Sequence, residues 1–229
     1  MPSALDDKTI VKDYFNATGF DRWRRIYGDG EVNVVQRDIR TGHQQTVDTV
    51  LAWLREDGNL RGLSICDAGC GVGSLSIPLA QAGALVYGSD ISEKMVGEAQ
   101  RRAEAAIPVG NRPAFMAQDL ERLTGQYHTV ICLDVLIHYP TEEIGPMIAH
   151  LASLAQKRLI LSFAPKTLGL TLLKKVGEFF PGPSKATRAY QHPEERIVEE
   201  LRNNGLEPQR RQMTSTRFYF SRLLEAVRE

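Results

Sequence analysis

The chain has 229 residues, 28 basic and 28 acidic, with 42% hydrophobic and 24% charged content. That length is about one and a half times a usual domain and the balance is that of a globular protein with a real core, which excludes a disordered, collagenous or coiled-coil chain. A formal charge of zero leaves no global footprint for a nucleic-acid backbone, so any basic surface must be local.

From about Leu5 to Arg55 the pattern is helical. Asp6 and Asp7 offer an N-terminal cap, and Ile10, Val11, Tyr14 and Phe15 recur at three- and four-residue spacing. Tyr27-Gly28-Asp29-Gly30 breaks the pattern, and a second periodic stretch with Val34, Val35, Val47, Val50, Leu51 and Leu54 runs to a loop at Asp57-Gly58-Asn59. From Leu63 the rhythm changes. Short apolar runs at Leu63–Cys66, Ala84–Gly88, Ala114–Ala117, Thr129–Leu133 and Leu159–Phe163 read as strands, and Leu75–Ala82, Ser92–Ala106 and Thr141–Leu154 between them read as helices. Strict alternation implies right-handed βαβ units and a mostly parallel sheet with helices on both faces. A helix over Pro193–Asn203, a stop at Gly205 and two closely spaced strands at Gln209–Met213 and Arg217–Phe220 predict an antiparallel C-terminal edge.

Cys66, Cys70 and Cys132 are odd in number and lack CxxC spacing, which argues against a disulfide framework or structural zinc and fits a reducing compartment. No apolar stretch approaches the length of a spanning helix, and the first residues are not those of a signal peptide. The expectation is a cytoplasmic chain with at most peripheral contact to a membrane.

The most informative stretch is Asp67-Ala68-Gly69-Cys70-Gly71-Val72-Gly73, where the first strand turns into a helix. In a parallel sheet this turn lies at the carboxyl ends of the strands, where ligands bind and glycine lets the backbone approach closely. Asp90 ends the next strand, placed to accept hydrogen bonds from ribose hydroxyls. A dinucleotide fingerprint would need glycine at position 74, which is Ser74. An acid directly before the glycines would also repel a pyrophosphate, whereas it suits a ligand bearing ammonium and sulfonium groups, such as S-adenosylmethionine. At this point the chain resembles the class I S-adenosylmethionine-dependent methyltransferases. The resemblance implies a Rossmann-like α/β fold with a seven-stranded sheet. It also implies that Asp67 and the backbone of Gly69, Gly71 and Gly73 hold the methionine part, Asp90 the ribose, and Ile91 and Asp119 the adenine, with Leu120 and Leu133 as further cofactor contacts.

The fourth strand ends in Asp134-Val135-Leu136-Ile137-His138-Tyr139, where enzymes that methylate base amines carry Asn or Asp followed by Pro-Pro and an aromatic. With zero net charge as well, a nucleic-acid substrate is disfavoured. At finer grain, Tyr14-Phe15-Asn16, Gly19-Phe20-Asp21-Arg22-Trp23, Ile26-Tyr27-Gly28, Arg40-Thr41-Gly42-His43, the Asp134–Tyr139 stretch and Phe179-Phe180-Pro181-Gly182 resemble the magnesium-protoporphyrin IX methyltransferases of chlorophyll biosynthesis. That resemblance spans nearly the whole chain. It implies Tyr27 and His138 as catalytic residues orienting a substrate carboxylate, with Arg40 and His43 as weaker candidates for cofactor or substrate contact. It also implies residues 1–60 as a helical lid that orders with cofactor over a core at 61–229. It further implies that the magnesium is carried by the porphyrin rather than by a protein metal site, and that the large subunit of magnesium chelatase is a candidate partner.

One independent feature points the same way. Between Lys157 and Gln191 the chain has seven basic residues and one acid, interleaved with Leu168, Leu170, Leu172, Leu173, Phe179 and Phe180. A substrate-binding insertion at about 165–192 would suit a flat apolar macrocycle with propionates, although a solvated basic face packed on the sheet accounts for the feature equally well. Other readings remain open: a methyltransferase for another small acceptor such as a quinone precursor, a nicotinamide oxidoreductase disfavoured by Asp67 and Ser74, and a non-catalytic cofactor binder. His128, His150 and His192 read as surface or capping residues.

Overall fold

The computed structural model describes residues 4–28, 30–166 and 190–229. Three helices come first: α1 (Ala4–Asn16), α2 (Thr18–Ile26) and α3 (Val34–Glu56). Then β1 (Ser64–Ala68), α4 (Ser76–Gln81), β2 (Leu85–Asp90), α5 (Glu93–Ala106), β3 (Ala114–Ala117), β4 (Tyr127–Cys132), α6 (Ile144–Leu154) and β5 (Ala155–Phe163) alternate. The chain ends with α7 (Glu194–Asn203), β6 (Glu207–Ser215) and β7 (Phe220–Val227). The sheet runs β3-β2-β1-β4-β5-β7-β6, with β7 antiparallel to both neighbours and every other pair parallel. This is the Rossmann-like α/β sheet that the alternation implies. Its order reverses between β1 and β4, and a cleft opens outside the carboxyl ends of the strands at such a point.

Period-two alternation divides the core. Val130, Cys132, Leu159, Leu161 and Phe163 face α6 and α7, while Ile131 and Ile160 face the opposite layer with α3 and α4. Val47, Val50, Leu51 and Leu54 of α3 belong to that second layer. The N-terminal segment expected as an extension therefore divides physically: α3 is part of the core packing, and α1 and α2 lie across the mouth of the cleft. Asn33 caps α3 with a reciprocal box, accepting from the Gln36 N–H at 2.9 Å while Gln36 Oε1 accepts from the Asn33 N–H.

Several boundaries differ from the sequence reading by a few residues, among them the start of β5 at Ala155 and of α6 at Ile144, and two differ in kind. Asp6 and Asp7 lie inside the first turns of α1 rather than ahead of it. The stretch expected as a last strand at Arg217–Phe220 is mostly a hairpin turn, closed by Thr216 N–H to Tyr219 O, and β7 begins only at Phe220. Asp38 of α3 holds that turn by accepting from Thr216 Oγ1 at 2.6 Å and from the Phe218 N–H at 2.7 Å.

Candidate active site

The glycine turn is built by backbone geometry. Gly69, Gly71 and Gly73 have φ of +88°, +52° and +83°, and the amides of Gly69 and Cys70 both donate to Ser89 O of β2 at 2.8 Å. A Cβ on Gly69 would lie 2.1 Å from Val135 Cγ2, whereas one on Gly71 would meet nothing within 4 Å. Gly69 is thus required by close approach, and Gly71 leaves open space for a ligand. Asp90 Oδ2 accepts from the Gly71 N–H at 3.0 Å and Oδ1 from the Ser92 N–H at 2.9 Å, which locks the acid against the turn. Burial raises its pKa to about 6.

The cleft is lined by Gly69, Cys70, Gly71, Asp90, Ile91, Met95, Leu120 and Leu133, with Val11 and Phe15 from α1 above. Of the predicted cofactor contacts, Gly69, Gly71, Asp90, Ile91, Leu120 and Leu133 thus meet in one wall. Three others stand behind or beside it. Asp67 is buried beneath the turn, accepts from Ser76 Oγ at 2.5 Å, and has a pKa raised by burial to about 6. Gly73 packs near Ile77, Ala99 and Phe115. Asp119 caps the short turn at Leu120–Arg122, accepting from the Glu121 N–H at 3.3 Å. The apolar walls with one ionised acid at the end of β2, and a backbone cradle open at Gly71, fit S-adenosylmethionine.

A second recess adjoins the first, walled by Trp23, Ile39, Ile137, Phe218 and Tyr219. The two share four residues: Phe15, Tyr27, Asp134 and His138. Both predicted catalytic residues stand at this seam. Burial lowers the His138 pKa to about 4, against a smaller opposite pull from Asp134, and its Nδ1 is buried without a hydrogen-bond partner. Burial, then the charges of Asp134 and Asp90, raise the Tyr27 pKa well above that of a free phenol. Both are therefore neutral at physiological pH.

Asp134 is the functional residue that sequence reasoning passed over. It has φ of +58°, the sole positive value outside glycine among the described residues. Its carboxylate accepts from Tyr219 OH at 2.9 Å and Ser162 Oγ at 3.0 Å, and lies 3.0 Å from His43 Nδ1. Burial pushes its pKa up, but His43, Tyr219 and Ser162 outweigh burial and hold it below the usual carboxylate range. The motif around His43 now has a physical reason: a Cβ on Gly42 would lie 2.4 Å from the Tyr219 ring. The His43 ring lies against Tyr27 tilted by 43° with centroids 4.4 Å apart, and Phe15 meets His138 edge-on at 5.7 Å.

Arg40, a weaker sequence candidate for ligand contact, lies elsewhere. It donates to the carbonyls of Ile26, Arg25 and Gly30 at 2.8, 2.6 and 2.9 Å. His192 is buried rather than at the surface, with Nε2 2.9 Å from Leu136 O. In the basic stretch, Arg158 is held by Asp57 and Glu225, and Lys157 donates to Arg228 O. Lys174, Lys175, Lys185, Arg188, Phe179 and Phe180 fall outside the described residues.

A glycine turn at the strand-order reversal, an acid ending the neighbouring strand and an antiparallel seventh strand define a class I S-adenosylmethionine-dependent methyltransferase. A family model described as methyltransferase domain matches residues 65–158, and one described as magnesium-protoporphyrin IX methyltransferase C-terminus matches residues 132–228. The chain is 75% identical to magnesium-protoporphyrin O-methyltransferase of a Synechocystis strain, covering 99% of this chain and 98% of that protein. It is 59% identical to chloroplastic magnesium protoporphyrin IX methyltransferase of Arabidopsis thaliana, over 96% of this chain and 71% of that protein. A crystal structure of magnesium protoporphyrin IX methyltransferase from Synechocystis PCC 6803 with bound SAH superposes with a TM-score of 0.90 at 73% identity, covering 98% of this chain and 100% of that chain. The chain belongs to the magnesium-protoporphyrin IX methyltransferase family.

Proposed function

We propose that the chain transfers the methyl group of S-adenosylmethionine to one propionate carboxylate of magnesium-protoporphyrin IX, giving the monomethyl ester. The observation that carries the chemistry is the seam between the two recesses. It presents a neutral phenol, a neutral imidazole with a buried nitrogen lacking a partner, the ring of Phe15 and the Asp134 carboxylate engaged by His43, Tyr219 and Ser162, and neither recess has a lysine or arginine among its described lining residues.

A propionate, with a pKa of roughly 4 to 5, is ionised at neutral pH and needs no base. Bound S-adenosylmethionine supplies a methyl group activated by the sulfonium. A carboxylate oxygen forms the new O–CH3 bond while the carbon–sulfur bond breaks and its electron pair stays on sulfur, so the two opposite charges disappear together. A fixed cation on the oxygen would stabilise the ground state more than the transition state. Tyr27 and His138 orient the carboxylate as neutral donors, and the aromatic walls exclude water from it. Asp90 and the glycine turn hold the cofactor, with Asp67 supporting the turn from beneath and adding its charge, and Asp119 beside the adenine end. The magnesium travels with the substrate, and among the described residues no group of three or more His, Cys, Asp or Glu is placed to hold a metal.

The same reading makes the large subunit of magnesium chelatase a partner, because it holds the same poorly soluble porphyrin, and puts the enzyme in the cytoplasm with at most peripheral contact to photosynthetic membranes. No helix among the described residues is long and apolar enough to cross a membrane.

The test is methyl transfer from labelled S-adenosylmethionine to magnesium-protoporphyrin IX, metal-free protoporphyrin and a catechol quinone precursor, with product mass recorded. One added methyl on the magnesium porphyrin supports the proposal. Transfer only to the catechol overturns the acceptor.

A further inference from the structure

The end of α2 carries Tyr27, and its carbonyls are not satisfied in the usual way. The chain leaves the helix through Tyr27 at φ −90°, without a left-handed cap residue. The backbone reaches Arg25 O through the Gly28 N–H at 3.2 Å, and two arginines from other helices cover the last carbonyls. Arg40 of α3 takes Arg25 O and Ile26 O. Arg102 of α5 takes the remaining two, donating through Nη1 to Tyr27 O at 2.6 Å and through Nη2 to Arg24 O at 3.0 Å.

Arg102 is itself fixed. Its Nε donates to Glu98 Oε1 at 2.8 Å, and Glu98 is nearly buried, with its pKa held down to about 2 by Arg101, against burial, and by Arg102. Gly28 makes room for this approach: a Cβ there would lie 2.9 Å from Arg24 O and 3.4 Å from Arg102 Nη2. Met95, Glu98 and Arg102 follow one face of α5 at helical spacing, and Met95 lines the cofactor cleft. A single helix therefore registers the wall of the donor site and the backbone of the residue that orients the acceptor.

We propose that Arg102, seated on Glu98, is a positioning residue for methyl transfer, setting Tyr27 at the seam by gripping the carbonyls of Tyr27 and Arg24. This rests on the role given to Tyr27 above. Arg102 touches no reacting atom, so its contribution passes through the placement of the phenol, and small misplacements of an orienting group cost rate rather than affinity.

The experiment is a double-mutant cycle of Arg102→Gln and Tyr27→Phe. It measures kcat and KM for magnesium-protoporphyrin IX, the Kd of S-adenosylmethionine and the melting temperature. Arg102→Gln should lower kcat by about 10- to 100-fold with the cofactor Kd within about twofold, and should cost little more in the Tyr27→Phe background. Arg102→Lys keeps the charge but cannot fork onto two carbonyls, so it should fall between wild type and Arg102→Gln; it serves as the test if Arg102→Gln does not fold. Equal losses in both backgrounds, or wild-type kcat in Arg102→Gln, overturn the proposal. Full activity in Tyr27→Phe would instead remove the reading of Tyr27 on which the proposal rests.

Discussion

The two halves of the active site are built by opposite means. The donor half is local: Asp67, the glycines and Asp90 come from one βαβ unit, and positive φ values and backbone amides shape the cradle. The acceptor half is assembled from distant segments. Asp134 after β4 is held by His43 of α3, 91 residues away, and by Tyr219 of the C-terminal hairpin, 85 residues away. A site shaped by backbone tolerates many side chains around it but not at its glycines. One assembled from side chains depends on a few buried hydrogen bonds and on the whole fold being in place.

That contrast makes Asp134 the position where breakage should be largest. Asp134→Ala leaves the donors of His43, Tyr219 and Ser162 without their shared acceptor in a buried site and keeps the strained φ, so it should cost about 3–5 kcal/mol. A melting temperature lower by roughly 6–20 °C would follow. Asp134→Asn, which tolerates that conformation and still accepts, should cost clearly less. Thermal melts of the two variants check this.

In the donor half, Gly69→Ala should cost about 1–3 kcal/mol from its positive φ alone, with the Val135 contact in addition. Calorimetry should find cofactor affinity reduced by at least about tenfold. Gly71→Ala, whose Cβ meets open space in the protein, should lose affinity while keeping the melting temperature closer to wild type. A pair of variants that both lose stability and affinity equally would erase the distinction between a packed glycine and a ligand-facing one.

At neutral pH the smallest effect is a pH dependence, which grows only in acid and separates the halves. Burial raises Asp67 and Asp90 to about 6. In the free protein, raised acid pKa values contribute stability that is present in full below the unfolded values near 4 and is lost as pH rises through about 6. A cationic ligand with ribose hydroxyls needs both acids ionised, so its affinity should fall below pH 6, by roughly tenfold per pH unit for each carboxylate required. His138, at about 4, stays neutral over the same range, so kcat at saturating cofactor should stay flat between pH 6 and 8. Titration calorimetry between pH 5 and 8, with initial rates between pH 6 and 8, distinguishes the two.

The same division explains what was legible in the sequence. Alternating strands and helices, the Gly-rich turn and Asp90 are short-range patterns, and the structure keeps them in place with shifts of a few residues. The grouping of Asp134, His43 and Tyr219 has no short-range signal. It depends on the hairpin turn at Thr216–Tyr219, which the β-rich composition of Arg217–Phe220 disguised as strand. Arg40 shows the complementary case: the resemblance offers it as a weaker candidate for ligand contact, whereas its guanidinium covers carbonyls at the end of α2. Only a positive φ at Asp134, invisible in a residue that is not glycine, marks the seam.

The most direct test of the claim that one half holds the donor and the other aligns the acceptor is single-turnover methyl transfer by Tyr27→Phe and His138→Ala, with cofactor Kd measured in parallel. The account predicts a methyl-transfer rate lowered by about 10- to 100-fold in each, with cofactor affinity within about twofold of wild type. Wild-type transfer rates with weakened cofactor binding would contradict it, moving both residues to the donor side of the site.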